Sequence, residues 1–246
     1  FSAEIVPFDR AGVPGQDMLR LMQLGVVPLG NLQLNRIASQ EPEFNAPDLA
    51  GLNPDMATLK KNVGAFRPYL EKTLRERYGI ELLTIYVYPA QVVFCKNPLA
   101  TMADLAGRRT RVSSATGADF VEAFGGVPVL TGFSEIMPNM ATGNIECAIT
   151  GTMSGNTIGL HEVTTHLHTM TVTWGLSIFA ANSAAWKGMP PELKALLQTE
   201  LPKLEAAIWS ESDRETAEGI ACNTGSATCT DGRQGKMQLV RSSPAD

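Results

Sequence analysis

The chain has 246 residues, 44% apolar and 18% charged, with a formal net charge of −5. That is enough for one large or two medium cores, and a mildly acidic, evenly mixed surface argues against nucleic acid, whose phosphates call for a basic patch. No apolar run approaches the roughly 20 residues of a bilayer-spanning helix. The chain starts at Phe1 with neither Met nor leader, which fits an exported protein whose leader has been removed.

Alternating apolar residues over 2–8 predict a strand, a start that also suggests missing upstream sequence. Residues 12–15 read as a turn. Met18, Leu21, Met22 and Leu24 at helical spacing predict a helix over 16–24, ended by Gly25. Residues 26–34 read as a buried strand and the Pro-rich stretch 41–54 as irregular. A long amphipathic helix or helix pair is predicted over 56–78, broken at Pro68 and stopped by Gly79. Strands follow at 81–88 and 92–96, with Pro89 marking a bend.

A helical turn at 103–106 leads to a strand at 110–112 and a helix at 115–124, closed by Gly125-Gly126. A strand at 127–130, a helix capped by Ser134 and running to Ala141, and a strand at 145–150 complete this region. The alternation predicts an α/β fold with parallel pairing. Residues 172–181 read as one long apolar strand holding Trp174. Pro190-Pro191 then opens a long helix with Leu193, Leu197, Leu201, Leu204 and Ile208 as one stripe, a kink at Pro202 and continuation toward Ile220. After 221 the tail is polar and Gly-rich, with one last strand at 236–240.

No C-x-x-C pair exists among Cys95, Cys147, Cys222 and Cys229, which excludes zinc-ribbon and thioredoxin-type motifs. Cys95 and Cys147 sit in apolar runs and read as small buried hydrophobes. Cys222 and Cys229 bracket the turn-rich N-T-G-S-A-T. They either close a small disulfide loop in an oxidising compartment or stay free thiols on the tail, and the turn chemistry favours the loop.

Arg111 ends a short strand and is followed by the small residues Ser113 and Ser114. Its planar fork matches a carboxylate, although from spacing alone a structural salt bridge is the simpler assignment. His166 and His168 would share one strand face, with Glu162 the nearest carboxylate and His161 nearby, but polar strand-edge residues explain them without a metal. Gly151-Thr152-Met153-Ser154-Gly155 resembles a nucleophile elbow with Ser154 displaced by one position. No Walker lysine, carboxylate pair or complete triad accompanies it. An alternative reading is a secreted α/β hydrolase using Ser154 and His161, and it lacks an acid partner.

Asp104 to Val112 reads D-L-A-G-R-R-T-R-V and resembles the D-L-x-G-x-x-x-R-V element of solute-binding proteins of TRAP (tripartite ATP-independent periplasmic) transporters. Gly126, Pro128 and Phe133-Ser134-Glu135 are similar to the family's G-x-x-P and F-S-E elements. Ala141 to Cys147 is similar to A-L-x-x-G-x-x-D-G, with Glu146-Cys147 in place of Asp-Gly. Asn182, Trp186, Met189-Pro190 and Glu192 resemble N-x-x-x-W-x-x-L-P-x-E. Leu24-Gly25 resembles the helix end before G-x-x-D, where Pro28 replaces the Asp.

The resemblance, over about residues 1–221, implies a two-lobed periplasmic-binding-protein-like α/β fold with a hinge and a long helix spanning both lobes. Lobe one would hold 1–90 plus 182–246 and lobe two 91–181, with the first strand and helix of lobe one absent from this chain. It implies no catalysis and no cofactor. Arg111 falls on the family's carboxylate-binding arginine and Thr150 on a ligand-contacting position. Gln91 lies where some members carry a second arginine. Ser113 and Ser114 would add hydrogen bonds, and Phe133, Trp174 and Phe94 apolar lining. A neutral Gln91 points to one carboxylate. The implied activity is capture of an organic monocarboxylate in the periplasm for TRAP-type membrane permease subunits.

Overall fold

A computed structural model describes residues 4–6, 12–38, 40–243 and 246. The predicted strand over 2–8 lies largely outside them, and residues 4–6 carry no strand. In chain order the elements begin with α1 (Met18–Gln23), β1 (Leu29–Gln33), α2 (Leu34–Ile37) and α3 (Met56–Tyr78). They continue with β2 (Ile80–Val87), β3 (Gln91–Cys95), β4 (Arg109–Val112), α4 (Ala115–Ala123), β5 (Val127–Leu130), α5 (Ile136–Thr142) and β6 (Cys147–Gly151). Last come α6 (Thr152–Thr157), α7 (Leu160–Val163), β7 (His166–Thr173), β8 (Leu176–Asn182), α8 (Ser183–Gly188), α9 (Pro191–Thr224) and β9 (Gln238–Val240).

The fold is two-lobed α/β. One compact unit comprises Phe1–Pro47, Lys60–Val87 and Leu176–Ser210, the other Asp48–Leu59, Tyr88–Gly175 and Glu211–Asp246. The contacts thus group 48–59 and 211–246 with the unit that holds 91–175, whereas the resemblance had implied a place for both in lobe one. Helix α9 runs from one unit's residues into the other's at 210/211.

The first unit has an antiparallel sheet in the order β1-β8-β2. Helix α3 buries Val63, Leu70 and Leu74 here, spaced by seven and four as one helical face requires. Pro68 sits inside this helix without breaking it. One lost backbone bond is offset by the apolar face buried on both sides of it. Strand β2 lies at the sheet edge, where unpaired backbone groups invite other chains. Helix α9 covers them at Ile85, whose N–H donates to Glu205 Oε2 at 3.0 Å and whose carbonyl accepts from Trp209 Nε1 at 2.7 Å. On the predicted α9 stripe, Leu204 is 51% exposed, while Trp209 is buried.

The second unit has a six-stranded sheet in the order β5-β4-β6-β3-β7-β9. Pairs β4–β5, β4–β6 and β7–β9 are parallel, as the alternation predicts, but β3 runs antiparallel to both neighbours. One face packs Val93, Cys95, Val112, Cys147 and Ile149 into a core with Leu99, Leu105 and Val121.

Several expectations are corrected here. Residues 172–181 form two strands in different sheets, not one, because Gly175 adopts φ 80° and the backbone turns. Cys95 and Cys147 are register partners on β3 and β6, with Cα atoms 4.1 Å apart, and are joined as a disulfide rather than left as thiols. Ser134 lies inside a 3-10 turn, Phe133–Glu135, and does not cap α5, whose N-cap Glu135 makes no side-chain cap bond. The irregular stretch 41–54 contains a 3-10 segment, Pro42–Asp48. Helix α9 continues through Thr224, past the predicted start of the tail. Cys222 and Cys229 are joined as a disulfide, Cα atoms 4.7 Å apart.

Candidate functional site

Parallel strands β5, β4 and β6 end together at one edge of the second unit's sheet. Antiparallel β3 starts and β7 ends at that same edge, since Gln91 lies opposite both Gly151 and Thr173. Carboxyl edges of parallel strands are the usual ligand-binding side of an open α/β sheet. Arg111 at the end of β4, Ser113 and Ser114 after it, Phe133 after β5, Thr150 on β6, Gln91 on β3 and Trp174 after β7 all reach this edge.

Strand alternation sorts them further. Thr110 pairs with Cys147 and Arg111 with Ala148. Val112 and Ile149 face the core, so Arg111, Ala148 and Thr150 share the opposite face. Arg111 is 2% exposed and Thr150 also 2%. The arginine donates from Nε and Nη2 to the Thr131 carbonyl at 3.2 and 3.1 Å, and from Nη1 to the Ile149 carbonyl at 2.8 Å. These carbonyls fix the plane of the guanidinium. Backbone carbonyls on the two flanking segments thus anchor the side chain.

The remaining predicted residues have distinct surroundings. Ser114 caps α4, accepting from Gly117 N at 3.1 Å. Phe133 is 42% exposed. Gln91 donates from Nε2 to the Trp174 carbonyl at 3.4 Å, a long bond. Register places Gln91 on the Gly151 side of β3, out of alternation with Arg111. Trp174 is buried, and its indole N–H donates to the Asn53 carbonyl at 3.0 Å. Phe94 is fully buried with its ring against Gly155.

Two residues that sequence reasoning missed stand out. Thr131 supplies the carbonyl that Arg111 grips, and its own enclosed Oγ1 has no hydrogen-bond partner among the described residues. Its only sequence signal is its place two residues before Phe133. Asp48 accepts from Trp174 N at 3.0 Å and Gly175 N at 2.7 Å. The residue keeps some exposure, but its carboxyl is enclosed by protein. Burial pushes that carboxyl up to about 6, against the opposing pull of the Gly175, Trp174 and Asn53 hydrogen bonds.

Among the described residues, the metal and nucleophile constellations considered from the sequence do not assemble. His168 is buried, with Nε2 3.5 Å from Asp246 Oδ2 and its Nδ1 accepting from Met170 N. Burial lowers its basicity, with Asp246 opposing. His166 bonds Thr165, and His161 lies by Asn156 and Glu162. Among the described residues, the one cluster with metal-ligand chemistry is Glu218, Cys222 and Cys229, and the disulfide occupies both sulfurs. Ser154 and His161 share no hydrogen bond among the described residues.

The profile described as bacterial extracellular solute-binding protein, family 7, matches residues 6–223. The chain is similar to DctP7, a Bordetella pertussis extracytoplasmic solute receptor binding pyroglutamic acid, at 23% identity and a TM-score of 0.83, covering 94% of this chain and 74% of that one. It is similar to a marine metagenome TRAP solute-binding protein specific for pyroglutamate, at 19% identity and a TM-score of 0.83, covering 95% and 73%. It is also similar to TeaA, the ectoine-binding protein of the TeaABC TRAP transporter, at 19% identity and a TM-score of 0.79, covering 98% and 76%. At these identities the likeness concerns the fold.

Proposed function

The chain belongs to bacterial extracellular solute-binding protein family 7, and on that premise we propose that it captures an organic monocarboxylate in the periplasm and delivers it to TRAP-type membrane permease subunits. The observation that carries this reading is Arg111. A buried guanidinium, held flat by two backbone carbonyls at the carboxyl edge of a parallel sheet, is preorganised for a carboxylate. Water exclusion strengthens such a pair. Thr150, on the same face, adds a hydroxyl, and Ser113 lies at the same strand end. Gln91, being neutral, leaves a second carboxylate's desolvation poorly compensated. Phe133 presents exposed apolar surface for a carbon skeleton. Trp174, which is buried, contributes through its carbonyl contact with Gln91. That solved relatives in the fold bind pyroglutamate, orotic acid or galacturonate supports an organic acid as the ligand class.

Calorimetric titration tests the reading. Arg111→Ala is expected to lose about 2–5 kcal/mol of affinity, as for a broken buried charge pair. Arg111→Lys is expected to weaken binding as well, because an ammonium cannot reproduce the fork. Wild-type affinity in the alanine variant would remove the role. A short dicarboxylate is expected to bind at least about tenfold more weakly than the best monocarboxylate of similar size, a gap of about 1.4 kcal/mol. A dicarboxylate as the tightest ligand would overturn the reading of Gln91.

A further inference from the structure

We propose that the Thr131 hydroxyl is a ligand contact that selects carboxylates carrying a polar group on the carbon next to the carboxylate, such as 2-hydroxy, 2-oxo or 2-amido acids. This rests on the assignment of Arg111 as the carboxylate anchor. Thr131 follows β5 at the carboxyl edge, its N–H donating to the Val112 carbonyl at 3.3 Å. Its own carbonyl receives two bonds from Arg111, at 3.2 and 3.1 Å. The main chain of Thr131 is therefore fixed from both sides, and its side chain departs one bond from the backbone that the guanidinium holds.

That side chain carries an oxygen enclosed by protein and without a hydrogen-bond partner among the described residues. An enclosed, unpaired hydroxyl is unfavourable, and an isosteric valine would avoid the penalty. A hydroxyl both donates and accepts, so it serves a ligand carbonyl, hydroxyl or N–H equally. A carboxylate on the Arg111 guanidinium carries its 2-substituent two bonds from the carboxylate carbon, and Thr131 Oγ1 lies four bonds from the carbonyl oxygen that the same guanidinium holds. An unsubstituted acid would leave the hydroxyl unpaired in the complex, and a site built around a polar contact discriminates against the analogue that lacks it.

The test uses matched pairs in calorimetry on the full chain: pyroglutamate with 3-oxocyclopentanecarboxylate, mandelate with phenylacetate, and 2-hydroxyisocaproate with isocaproate. For the pair that binds best, the wild type is expected to favour the 2-substituted acid by about tenfold or more. Thr131→Val is expected to erase most of that preference while holding the unsubstituted acid within about threefold, and Thr131→Ser to keep the preference. Circular dichroism checks each variant's fold, and Thr131→Ala replaces the valine variant if that one misfolds. An unchanged preference in the folded valine or alanine variant overturns this inference and leaves the Arg111 reading intact. If no acid of any pair binds the wild type, the carboxylate reading falls, and this inference falls with it.

Discussion

At the scale of single residues, Asp48 shows how one buried carboxylate shapes the backbone around it. It accepts from two successive N–H groups, those of Trp174 and Gly175, where the apolar run 172–181 splits into β7 and β8. Its carboxyl titrates near 6 in the folded protein against an ordinary value of 3.8. The folded state therefore holds the proton more tightly, and between about pH 4 and 6 it binds more protons than the unfolded chain. The Asp48 contribution to stability is greatest below about pH 4 and declines as pH rises through 6. After allowance for screening at a partly exposed residue, the difference is about 1–3 kcal/mol. Denaturation curves from pH 4.5 to 7.5 are expected to show this slope in the wild type and its loss in Asp48→Asn. A variant that retains the same slope would assign it to other groups. The proposed anchor, Arg111, was legible because it falls on the arginine of the D-L-x-G-x-x-x-R-V element, whereas its spacing alone pointed to a structural salt bridge. Thr131 and Asp48 were not, because their roles depend on which backbone groups lie across the sheet.

At the scale of elements, the two disulfides and the edge of β2 carry separable energies. The Cys95–Cys147 link spans 52 positions and the Cys222–Cys229 link seven. In the chain-entropy account these loops correspond to roughly 4 and 2.5 kcal/mol. Replacing both cysteines of the longer link by valine is expected to lower urea stability by more than replacing both of the shorter by serine. Unreduced peptide mapping is expected to find no free thiol. Trp209→Phe keeps one aromatic ring but removes the pyrrole half of the indole and with it the donor to the Ile85 carbonyl, and is expected to cost about 1–3 kcal/mol, read from the same urea curves. The sequence supports these elements unevenly. Period 3.6 marks α3 at its observed ends because its apolar face is long and regular. Helices α6 and α7 leave no such trace, since Gly155 and Gly159 interrupt a twelve-residue span too short to show a period. The Cys95–Cys147 pairing depends on strand register, which no local spacing records.

At the scale of the whole molecule, a ligand that binds only the folded protein raises its melting temperature with concentration, and a panel screened this way ranks the acids named above. Class and family were readable from the chain because alternating elements and one dense motif block survive in a linear pattern. The assignment of 211–246 was not, because membership of a unit is decided by contacts that α9 carries far from their sequence neighbours. The chain passes between the units at 47/48, 59/60, 87/88, 175/176 and 210/211. Neither unit is thus a continuous stretch, and the six-stranded sheet receives β9 only at 238–240, after β7 has ended at 173. At about 5–20 residues per second of synthesis, the roughly 65 residues between them take on the order of 3–13 s to emerge. Throughout that interval the outer edge of β7 waits for its partner. A holdase or export factor that must engage the chain while it is still extended has that window in which to do so.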